Sequence, residues 1–428
     1  MEIDDLYKIY KQYPTVCTDT RQISEGCLFF ALKGENFDGN KFANEAIKKG
    51  AAFAIIDDSK WFIDGKTILV DDVLKTLQQL ANFHRNQFDI PFIGITGSNG
   101  KTTSKELINS VLSQQFKTHF TKGNLNNHIG VPLTILSINN DCEIAIIEMG
   151  ANHIGEIDFL CNIAEPNYGI ITNIGTAHIE GFGSKEGVKK GKSEMYRFIK
   201  KNNNLIFYNN DDDVLTKLSE GISSYSYGVK NADCIASMTS ETPNIEIAWN
   251  NINIKSNLYG SYNLYNILLA ICVGQYFKVD PDKIKKGIEE YVSTNNRSQI
   301  VKLKDQEVYL DAYNANPTSM NAAIDSFSDI PSSNKIMILG DMLELGSISQ
   351  EEHQKIVTKA QELNISSVFV GSHFKQTNNK YNFHFFKTNT EVIDWLKSQK
   401  VNYDKFLIKG SRGIKLEIVA DYLIKKGS

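Results

Sequence analysis

Residues 91–103 read Pro-Phe-Ile-Gly-Ile-Thr-Gly-Ser-Asn-Gly-Lys-Thr-Thr, and a helix-like run continues to Leu112. The apolar residues predict a buried strand, and the loop after it supplies the residues assigned to phosphate binding: Gly97, Ser98, Asn99, Gly100, Lys101, Thr102 and Thr103. Amides at a helix N-terminus attract phosphate, a lysine adds a point charge, and a hydroxyl can bind Mg²⁺. The common phosphate-loop pattern has glycine where this chain has Ile95, so the loop is a shorter Gly-x-x-Gly-Lys-Thr-Thr. Although a glycine loop can be a plain turn, the flanking strand and helix favour nucleotide binding.

The composition bounds the function. A chain of 428 residues is expected to form two or three domains. It is 41% hydrophobic and 22% charged with a net charge of −4, so no broad basic field predicts a nucleic-acid partner. No apolar run has the length of a membrane span, and residues 1–5 lack a signal-peptide pattern, so we expect no membrane insertion. Six scattered cysteines without a Cys-x-x-Cys pair predict reduced thiols in the cytoplasm.

Three regions differ in their hydrophobic pattern. Residues 1–86 hold short apolar segments separated by polar turns, with one helix-like stretch at 41–49. Residues 87–297 alternate apolar strands with helical runs, and residues 298–428 restart that alternation, which is typical of parallel sheets covered by helices. The predicted strands are 92–96, 144–148, 168–173, 204–208, 335–339, 367–370 and 405–408. We therefore predict an α/β protein of three domains: a small α/β domain, a central parallel-sheet domain with the phosphate loop, and a Rossmann-like domain.

Polar residues stand at the ends of three predicted strands. Glu148 ends one strand, His178 follows another, and Asp311 ends a third at 308–310. Ligands of such sheets bind beyond the carboxyl ends of the strands, although a polar residue there is as often a helix cap. Because the phosphate loop lies on the same edge, Glu148 and His178 are favoured as metal or water ligands.

Together these segments resemble the Mur ligase family, ATP-dependent enzymes that form amide bonds in peptidoglycan precursor synthesis. The loop at 96–103 looks like the family's nucleotide loop, and Glu148 with residues 176–178 looks like its metal-binding positions. Residues 260–266 are similar to its Gly-x-His-Asn-x-x-Asn motif, with Tyr262 in place of the histidine. The resemblance covers essentially the whole chain.

Further motifs resemble one branch of the family. Residues 125–134, 311–320 and 339–346 look like the ligase that joins D-alanyl-D-alanine to UDP-N-acetylmuramoyl-tripeptide, the last cytoplasmic step of the series. The preceding ligase, which adds the third amino acid, carries an Asp-Asn-Pro-Arg motif that is absent from this chain. Residues 18–21 and 30–39 resemble the region that binds the UDP-sugar. The resemblance thus assigns the UDP-sugar to 1–86, ATP to 87–297 and the acceptor to 298–428, with the third residue of the tripeptide left open between lysine and diaminopimelate.

The resemblance also implies the chemistry. ATP would phosphorylate the peptide carboxylate to an acyl phosphate, which the acceptor amine then attacks. Lys101 would contact the β- and γ-phosphates and Thr102 one Mg²⁺, while Glu148 and His178 would hold a second Mg²⁺. Lys192, within the lysine-rich run 184–195, would be carbamylated and serve as a further metal ligand, whereas composition alone suggests only a solvated helix face.

The remaining site residues are also implied by the resemblance. Those for the nucleotide are Asn263, Asn266, Arg297 and Asp311, and Arg297 marks the hinge into the third domain. Those for the substrates are Thr20, Asn126, Asn127, Asn314, Asn316 and Arg412. From the residues alone, Arg412 could equally belong to a helix cap. We expect a monomer that uses ATP and Mg²⁺, with UDP-N-acetylmuramoyl-tripeptide and D-alanyl-D-alanine as its partners.

Two other readings remain open. A sibling ligase, either the one that adds the third amino acid or a folylpolyglutamate-type enzyme, would share the phosphate loop, but the missing Asp-Asn-Pro-Arg motif and the UDP-like first region count against it. A nucleotide-gated regulatory or binding protein would also keep the loop, and acceptor-dependent phosphate release separates it from a ligase.

Overall fold

The computed structural model describes residues 1–176, 178–241, 244–378, 383–398 and 403–427. The described chain folds into an α/β structure with one main sheet in each of the three predicted regions. This confirms the predicted fold class, whereas the limits at 86 and 297 stay predictions. No helix among these residues is long and apolar enough to cross a membrane.

The first region forms a small parallel sheet of four strands in the order β1-β2-β5-β6. Its elements are α1 (Ile3–Gln12), β1 (Val16–Cys17), β2 (Leu28–Phe30), β3 (Lys33–Gly34), β4 (Phe37–Asp38), α2 (Ala43–Lys48), β5 (Phe53–Ile56), β6 (Thr67–Leu69) and α3 (Val73–Arg85). Helices α1 and α3 add to the single helix that the sequence predicted, which α2 confirms.

The central region is built on a parallel sheet of seven strands in the order β13-β12-β11-β10-β7-β9-β8. Its first elements are β7 (Phe92–Thr96), α4 (Lys101–Leu112), β8 (Thr118–Phe120), α5 (Gly130–Leu136), β9 (Ile144–Glu148), α6 (Glu156–Ala164), β10 (Tyr168–Ile171), α7 (Ile179–Phe182), α8 (Lys185–Lys192) and α9 (Glu194–Lys201). All five residues of β7 are buried, as a strand covered on both faces requires. Because β7 lies between β10 and β9, the chain order reverses there, and the loops after these strands meet.

The second half of the central region adds a feature that the sequence did not reveal. The parallel sheet is completed by β11 (Leu205–Asn209), α10 (Asp213–Ser219), β12 (Ser223–Gly228) and β13 (Cys234–Ile235). A separate antiparallel sheet follows, made of β14 (Ser237–Ser240), β15 (Glu246–Trp249) and β16 (Ile252–Lys255), before α11 (Leu264–Tyr276) and α12 (Pro281–Glu290). Buried residues of this small sheet join one hydrophobic core with α4 and α11, so it packs against the central fold.

The third region contains a sheet of six strands in the order β17-β18-β22-β19-β20-β21. Its elements are β17 (Gln299–Lys302), β18 (Glu307–Asp311), α13 (Pro317–Ser328), β19 (Lys335–Gly340), α14 (Ser349–Glu362), β20 (Ser366–Val370), β21 (His384–Phe386), α15 (Asn389–Ser398), β22 (Lys405–Lys409) and α16 (Glu417–Gly427). Only β17 is antiparallel to its neighbour among these described strands. The strands predicted at 335–339, 367–370 and 405–408 are confirmed, each extended by one residue.

Helix α3 connects the first two regions by packing as well as by sequence. It shares a hydrophobic core with α1 and with buried residues of the central region. The guanidinium of Arg85 at its end donates from Nε to the carbonyl of Ala164 at 2.9 Å and from Nη2 to that of Glu165 at 2.9 Å. The cation thus satisfies carbonyls at the end of α6, where a helix favours positive charge.

Candidate functional site

A cleft of about 830 Å³ lies where β7, β9 and β10 end, between the central and third regions. Most of the predicted site residues line it: Ser98, Asn99, Gly100, Lys101, Thr102, Thr103, Asn126, Asn127, Glu148, His178, Asn263, Asn266, Arg297, Asp311, Asn314, Asn316 and Arg412. Three predicted residues are not among its lining. Gly97 starts the phosphate loop, Lys192 is fully buried in α8, and Thr20 is half-buried in the first region.

The phosphate loop has the backbone of an anion site. Gly97 has a φ of +141°, and a Cβ there would lie 2.0 Å from Oγ1 of Thr172. Gly100 has a φ of +80°, and its Cβ would lie 2.4 Å from Oδ1 of Asn266. Side chains are therefore excluded at both positions, and α4 begins at Lys101 with its first amides unpaired within the helix. The sequence prediction of strand, glycine loop and helix is confirmed.

Lys101 folds back over the loop. Its Nζ donates to the carbonyl of Gly97 at 2.6 Å. Burial, partly offset by Glu148 and reinforced by Arg297, lowers the pKa of Lys101 from 10.5 to about 8. Loss of hydration destabilises the ammonium, and the negative charge of a bound polyphosphate would stabilise it.

Glu148 stands at the end of β9 with its carboxylate almost fully buried. Thr102 donates from Oγ1 to Oε2 at 3.0 Å, Asn126 donates from Nδ2 to Oε1 at 2.8 Å, and Lys105 lies 3.2 Å from Oε2. Burial alone would raise the pKa of Glu148, but the charges of Lys105, Lys101 and Arg297 outweigh it and hold the pKa below its ordinary value. The carboxylate is thus ionised and aimed at the loop.

These donors fit Mg²⁺. Mg²⁺ prefers hard oxygen ligands and is usually bound by one or two carboxylates together with substrate phosphates. A hydroxyl and a carboxylate, those of Thr102 and Glu148, are in contact beside the phosphate loop. Within the part of the chain that the structure describes, no group of three or more His, Cys, Asp or Glu side chains could hold a metal by itself. Any Mg²⁺ would therefore rely on phosphate or substrate oxygens.

His178 faces the third region. It precedes α7 with a left-handed φ of 57°, and its Nδ1 lies 2.5 Å from Oε2 of Glu344. The hydrogen bond with His178 is the main cause that lowers the pKa of Glu344. His178 thus lies at the cleft as predicted, but its imidazole contacts a carboxylate of the other region rather than Glu148.

Lys192 lies behind the cleft. Its side chain is fully buried, Nζ donates to the carbonyl of Ala151 at 3.1 Å, and the Phe182 ring centroid is 5.2 Å away. Burial is the largest cause that lowers the pKa of Lys192 well below its ordinary value, and the charge of Lys101 adds to it. The prediction of a solvated helix face is therefore wrong at this position, because Lys192 points into the protein.

The 260–266 motif supports the loop from beside α4. Nδ2 of Asn266 donates to Oδ1 of Asn263 at 2.8 Å, and Oγ of Ser104 donates to Oδ1 of Asn266 at 2.9 Å. Nδ2 of Asn263 also donates to Oγ of Ser298 at 2.9 Å, and the hydroxyl of Tyr262 lies 3.1 Å from the same atom. Tyr262 therefore keeps a polar contact at the cleft in the position of the family histidine.

Two arginines and an aspartate also line the cleft: Arg297, Asp311 and Arg412. The guanidinium of Arg297 stacks on the Tyr313 ring, with Cζ 3.6 Å from the centroid. Arg412 donates from Nη1 to the Tyr313 hydroxyl at 3.2 Å. Asp311 pairs with the buried Lys409 at 2.5 Å. Planar cations stacked on an aromatic ring keep their donors available for phosphate or carboxylate.

The other predicted substrate residues hold backbone turns. Oδ1 of Asn127 accepts from the amides of Ile129 and Gly130 in the turn that leads into α5. Oδ1 of Asn314 accepts from the amide of Ala315 at 2.9 Å. The carbonyl of Thr20 accepts from Nζ of Lys49 at 3.1 Å. Substrate roles for these residues stay predictions.

Sequence reasoning missed Lys105, Lys409 and Glu344 as site residues. Lys105 follows Lys101 by four positions, so both lie on one face of α4. That spacing could have been used as a signal, because a second lysine on the same face of α4 as Lys101 is directed toward the ends of the neighbouring strands, where Glu148 lies. Lys409 ends β22 beside Asp311, and only the parallel pairing of β18 with β22 shows this.

Comparison with known proteins identifies the family. The Mur ligase middle domain matches residues 95–274, the Mur ligase glutamate ligase domain residues 296–412, and the Mur ligase family catalytic domain residues 12–85. UDP-N-acetylmuramoyl-tripeptide–D-alanyl-D-alanine ligase of Bacillus subtilis (strain 168) is 36% identical over 96% of this chain and 93% of that protein. The enzyme of the same name from Escherichia coli (strain K12) is 34% identical over 96% of this chain and 94% of its own length.

Solved structures agree. MurF from Acinetobacter baumannii superposes with a TM-score of 0.85 at 31% identity over 96% of this chain and 93% of that one. MurF ligase from Thermotoga maritima in complex with ADP gives a TM-score of 0.85 at 26% identity over 96% and 97% of the two chains. With the phosphate loop, Glu148 and the residues of the third region gathered in one cleft, these matches show that the chain belongs to the Mur ligase family.

Proposed function

We propose that this protein is an ATP-dependent ligase that joins D-alanyl-D-alanine to UDP-N-acetylmuramoyl-tripeptide. One observation carries the proposal. The phosphate loop, the ionised Glu148 and the third-region residues Asn314 and Arg412 line a single cleft between two domains. Such a cleft can hold ATP and a carboxylate on one side and an amine acceptor on the other. The relatives named for this reaction cover nearly the whole chain.

The reaction needs positioning rather than a protein nucleophile. A carboxylate oxygen attacks the γ-phosphorus of ATP, giving an acyl phosphate and ADP. The acceptor amine then attacks the acyl carbon, loses a proton, and phosphate leaves with the bonding electron pair. Amides at the start of α4 and the Lys101 ammonium would stabilise the phosphate charge, and holding both reactants in one cleft removes much of the entropic barrier.

Mg²⁺ is part of this proposal. Thr102 would hold one Mg²⁺ together with phosphate oxygens, and Glu148, which accepts a hydrogen bond from Thr102, would hold a second. When bound, the ion supplies charge neutralisation between the phosphates and the incoming carboxylate. We assign His178 to the same centre, which requires its imidazole to leave Glu344.

The burial of Lys192 supports the proposal that this lysine is carbamylated. Burial disfavours the ammonium of Lys192 and lowers its pKa well below the ordinary value, although Glu156 and Glu194 oppose part of that shift, so the neutral amine is favoured. A neutral amine can react with CO₂, forming an N–C bond and releasing one proton. The product is a carbamate whose hard oxygens suit Mg²⁺ better than nitrogen does. Carbamylated Lys192 is therefore proposed as a further ligand of the metal site.

The setting of the reaction is also proposed. Six free, buried cysteines are consistent with a reducing cytoplasm. The predicted nucleotide and acceptor residues meet within a single copy of the chain, so a monomer suffices for the chemistry. The first region, with Thr20, would bind the UDP-sugar.

Phosphate release provides the test. Purified protein is given ATP, Mg²⁺ and a UDP-N-acetylmuramoyl-tripeptide, with and without D-alanyl-D-alanine. Phosphate release should require D-alanyl-D-alanine. Lysine or diaminopimelate supplied with UDP-N-acetylmuramoyl-dipeptide should give no phosphate release. The reverse pattern would assign the chain to the ligase that adds the third residue, and release independent of any acceptor would contradict a ligase. Lysine and diaminopimelate tripeptides are assayed side by side to identify the preferred substrate.

A further inference from the structure

A direct hydrogen bond joins the phosphate loop to the third region. Nδ2 of Asn316, the residue before α13, donates to Oδ1 of Asn99 at 2.7 Å. Both residues line the cleft, one from the central region and one from the third. A second polar contact lies beside it, between the hydroxyls of Thr318 and Thr176 at 3.0 Å. The acceptor region thus touches the nucleotide loop itself.

The backbone of Asn99 is fixed by the central region. Its amide donates to Oδ1 of Asn173 at 3.0 Å, and its carbonyl accepts from Nδ2 of Asn173 at 3.0 Å and from Oγ1 of Thr172 at 2.6 Å. These bonds use the peptide groups of Asn99 and leave its side chain to cross the cleft. The position of that side chain therefore reports the position of the phosphate loop.

Asn316 is equally fixed by its own region. Its Oδ1 accepts from the amide of Ser319 at 3.0 Å, and its own amide donates to Oγ of Ser319 at 3.1 Å, a capping box at the start of α13. The amide group of Asn316 thus caps α13 with one end and reaches Asn99 with the other. Since both partners are held in place, little conformational entropy is lost when the bond forms.

We propose that the Asn99–Asn316 hydrogen bond couples nucleotide binding in the phosphate loop to docking of the acceptor region. Asn316 is then a positioning residue that acts through Asn99, rather than a residue that acts only on the acceptor. The proposal rests on the ATP site of the proposed function. A nucleotide bound to the phosphate loop further stabilises the loop position from which Oδ1 of Asn99 accepts the bond, and so favours docking. By linkage, docking must strengthen nucleotide binding by the same factor.

The test is a double-mutant cycle read by binding of a non-hydrolysable ATP analogue with Mg²⁺, without any acceptor. Asn316→Ser keeps a capping hydroxyl but cannot reach Asn99, and Asn99→Ala removes the partner. Each single variant should bind the analogue about two- to tenfold more weakly, the range of one net hydrogen bond. The double variant should bind no more weakly than the weaker single variant.

A matched control lies on the same helix. Asn321 donates from Nδ2 to the carbonyl of Pro317, within its own region, so Asn321→Ser should leave analogue binding unchanged. Asn316→Thr, which also keeps a cap, replaces Asn316→Ser if the latter unfolds, as judged by thermal unfolding. Wild-type affinity in a folded Asn316 variant, or losses that add fully in the double variant, would overturn the proposal. Failure of acceptor-dependent phosphate release with this binding pattern intact would instead refute only the ligase assignment.

Discussion

Removing the ammonium of Lys105 tests how the site keeps Glu148 charged. The side chain of Lys105 is fully buried, that of Glu148 is 2% exposed, and Nζ lies 3.2 Å from Oε2. In Lys105→Met the alkyl stem still fills the interior, but the carboxylate loses its closest cation. Thr102 and Asn126 remain as hydrogen-bond donors and replace only part of that interaction.

The expected cost is large. Breaking one partner of a buried ion pair typically lowers the free energy of unfolding by about 3–5 kcal/mol, because the other charge stays buried and unpaired. For an unfolding unit of 150–250 residues this corresponds to a fall of about 6–20 °C in the unfolding midpoint. Turnover should fall as well, since a less ionised Glu148 is a poorer metal ligand.

The loss of stability in Lys105→Met should depend on pH through the charge of Glu148. In the wild type the pKa of Glu148 lies below its ordinary value of 4.5, so its contribution to stability is present above pH 4.5 and is lost as the pH falls through the folded pKa. In Lys105→Met burial acts with less opposition and raises the pKa of Glu148. The deficit of the variant should therefore be largest near pH 8 and should shrink toward pH 5, where Glu148 can bind a proton.

Calorimetry at both pH values measures the stability of Lys105→Met, and two control variants are measured beside it. Lys117 and Asp141 form a pair that is 69% and 76% exposed, so Lys117→Met should cost no more than about 1 kcal/mol. Glu148→Gln combined with Lys105→Met removes both charges and should recover much of the lost stability, though not the activity. If Lys105→Met is no less stable than Lys117→Met, the carboxylate does not depend on Lys105 and the reasoning is refuted.

Three further substitutions test the cleft. Lys101→Ala should keep the unfolding midpoint and lower phosphate release about 10²–10³-fold, and near-normal turnover would exclude the loop as the ATP site. Lys192→Ala should lose most turnover and regain part of it with short carboxylates, while bicarbonate restores CO₂-depleted wild type; a fully active Lys192→Ala would contradict carbamylation. Gly97→Ala should abolish ATP binding in a calorimetric titration, because its methyl would lie 2.0 Å from Oγ1 of Thr172 and the φ of +141° disfavours a side chain. Retained affinity would show that the loop can rearrange.

The sequence predicted what depends on local pattern. Buried parallel strands are continuous apolar runs, so 92–96 and 144–148 were predicted residue for residue. The glycine loop was readable because its positive φ angles demand glycine. The antiparallel sheet of β14 to β16 was missed, because its strands are only four residues long, contain few buried positions and lie next to polar turns.

Contacts between regions could not be predicted in the same way. Asn316 and Asn99 are 217 positions apart, and each belongs to a motif with a sufficient local explanation, a helix cap and a phosphate loop. Glu344 lies in a motif segment whose partner, His178, is in another region. Only the placement of the third region over the central sheet brings these pairs together.

Three lysines around the cleft are buried, in contrast to the half-buried Lys101 of the phosphate loop. In the described part of the chain, the buried lysines are Lys105, Lys192 and Lys409. Lys105 pairs with Glu148 and Lys409 with Asp311, so each has a permanent anion. Lys192 forms no ion pair with a described residue and has a carbonyl and an aromatic ring as neighbours. Burial without a stable anion disfavours the ammonium, so we expect Lys192 to be uncharged or modified, and the proposed carbamate would carry a negative charge that attracts Mg²⁺.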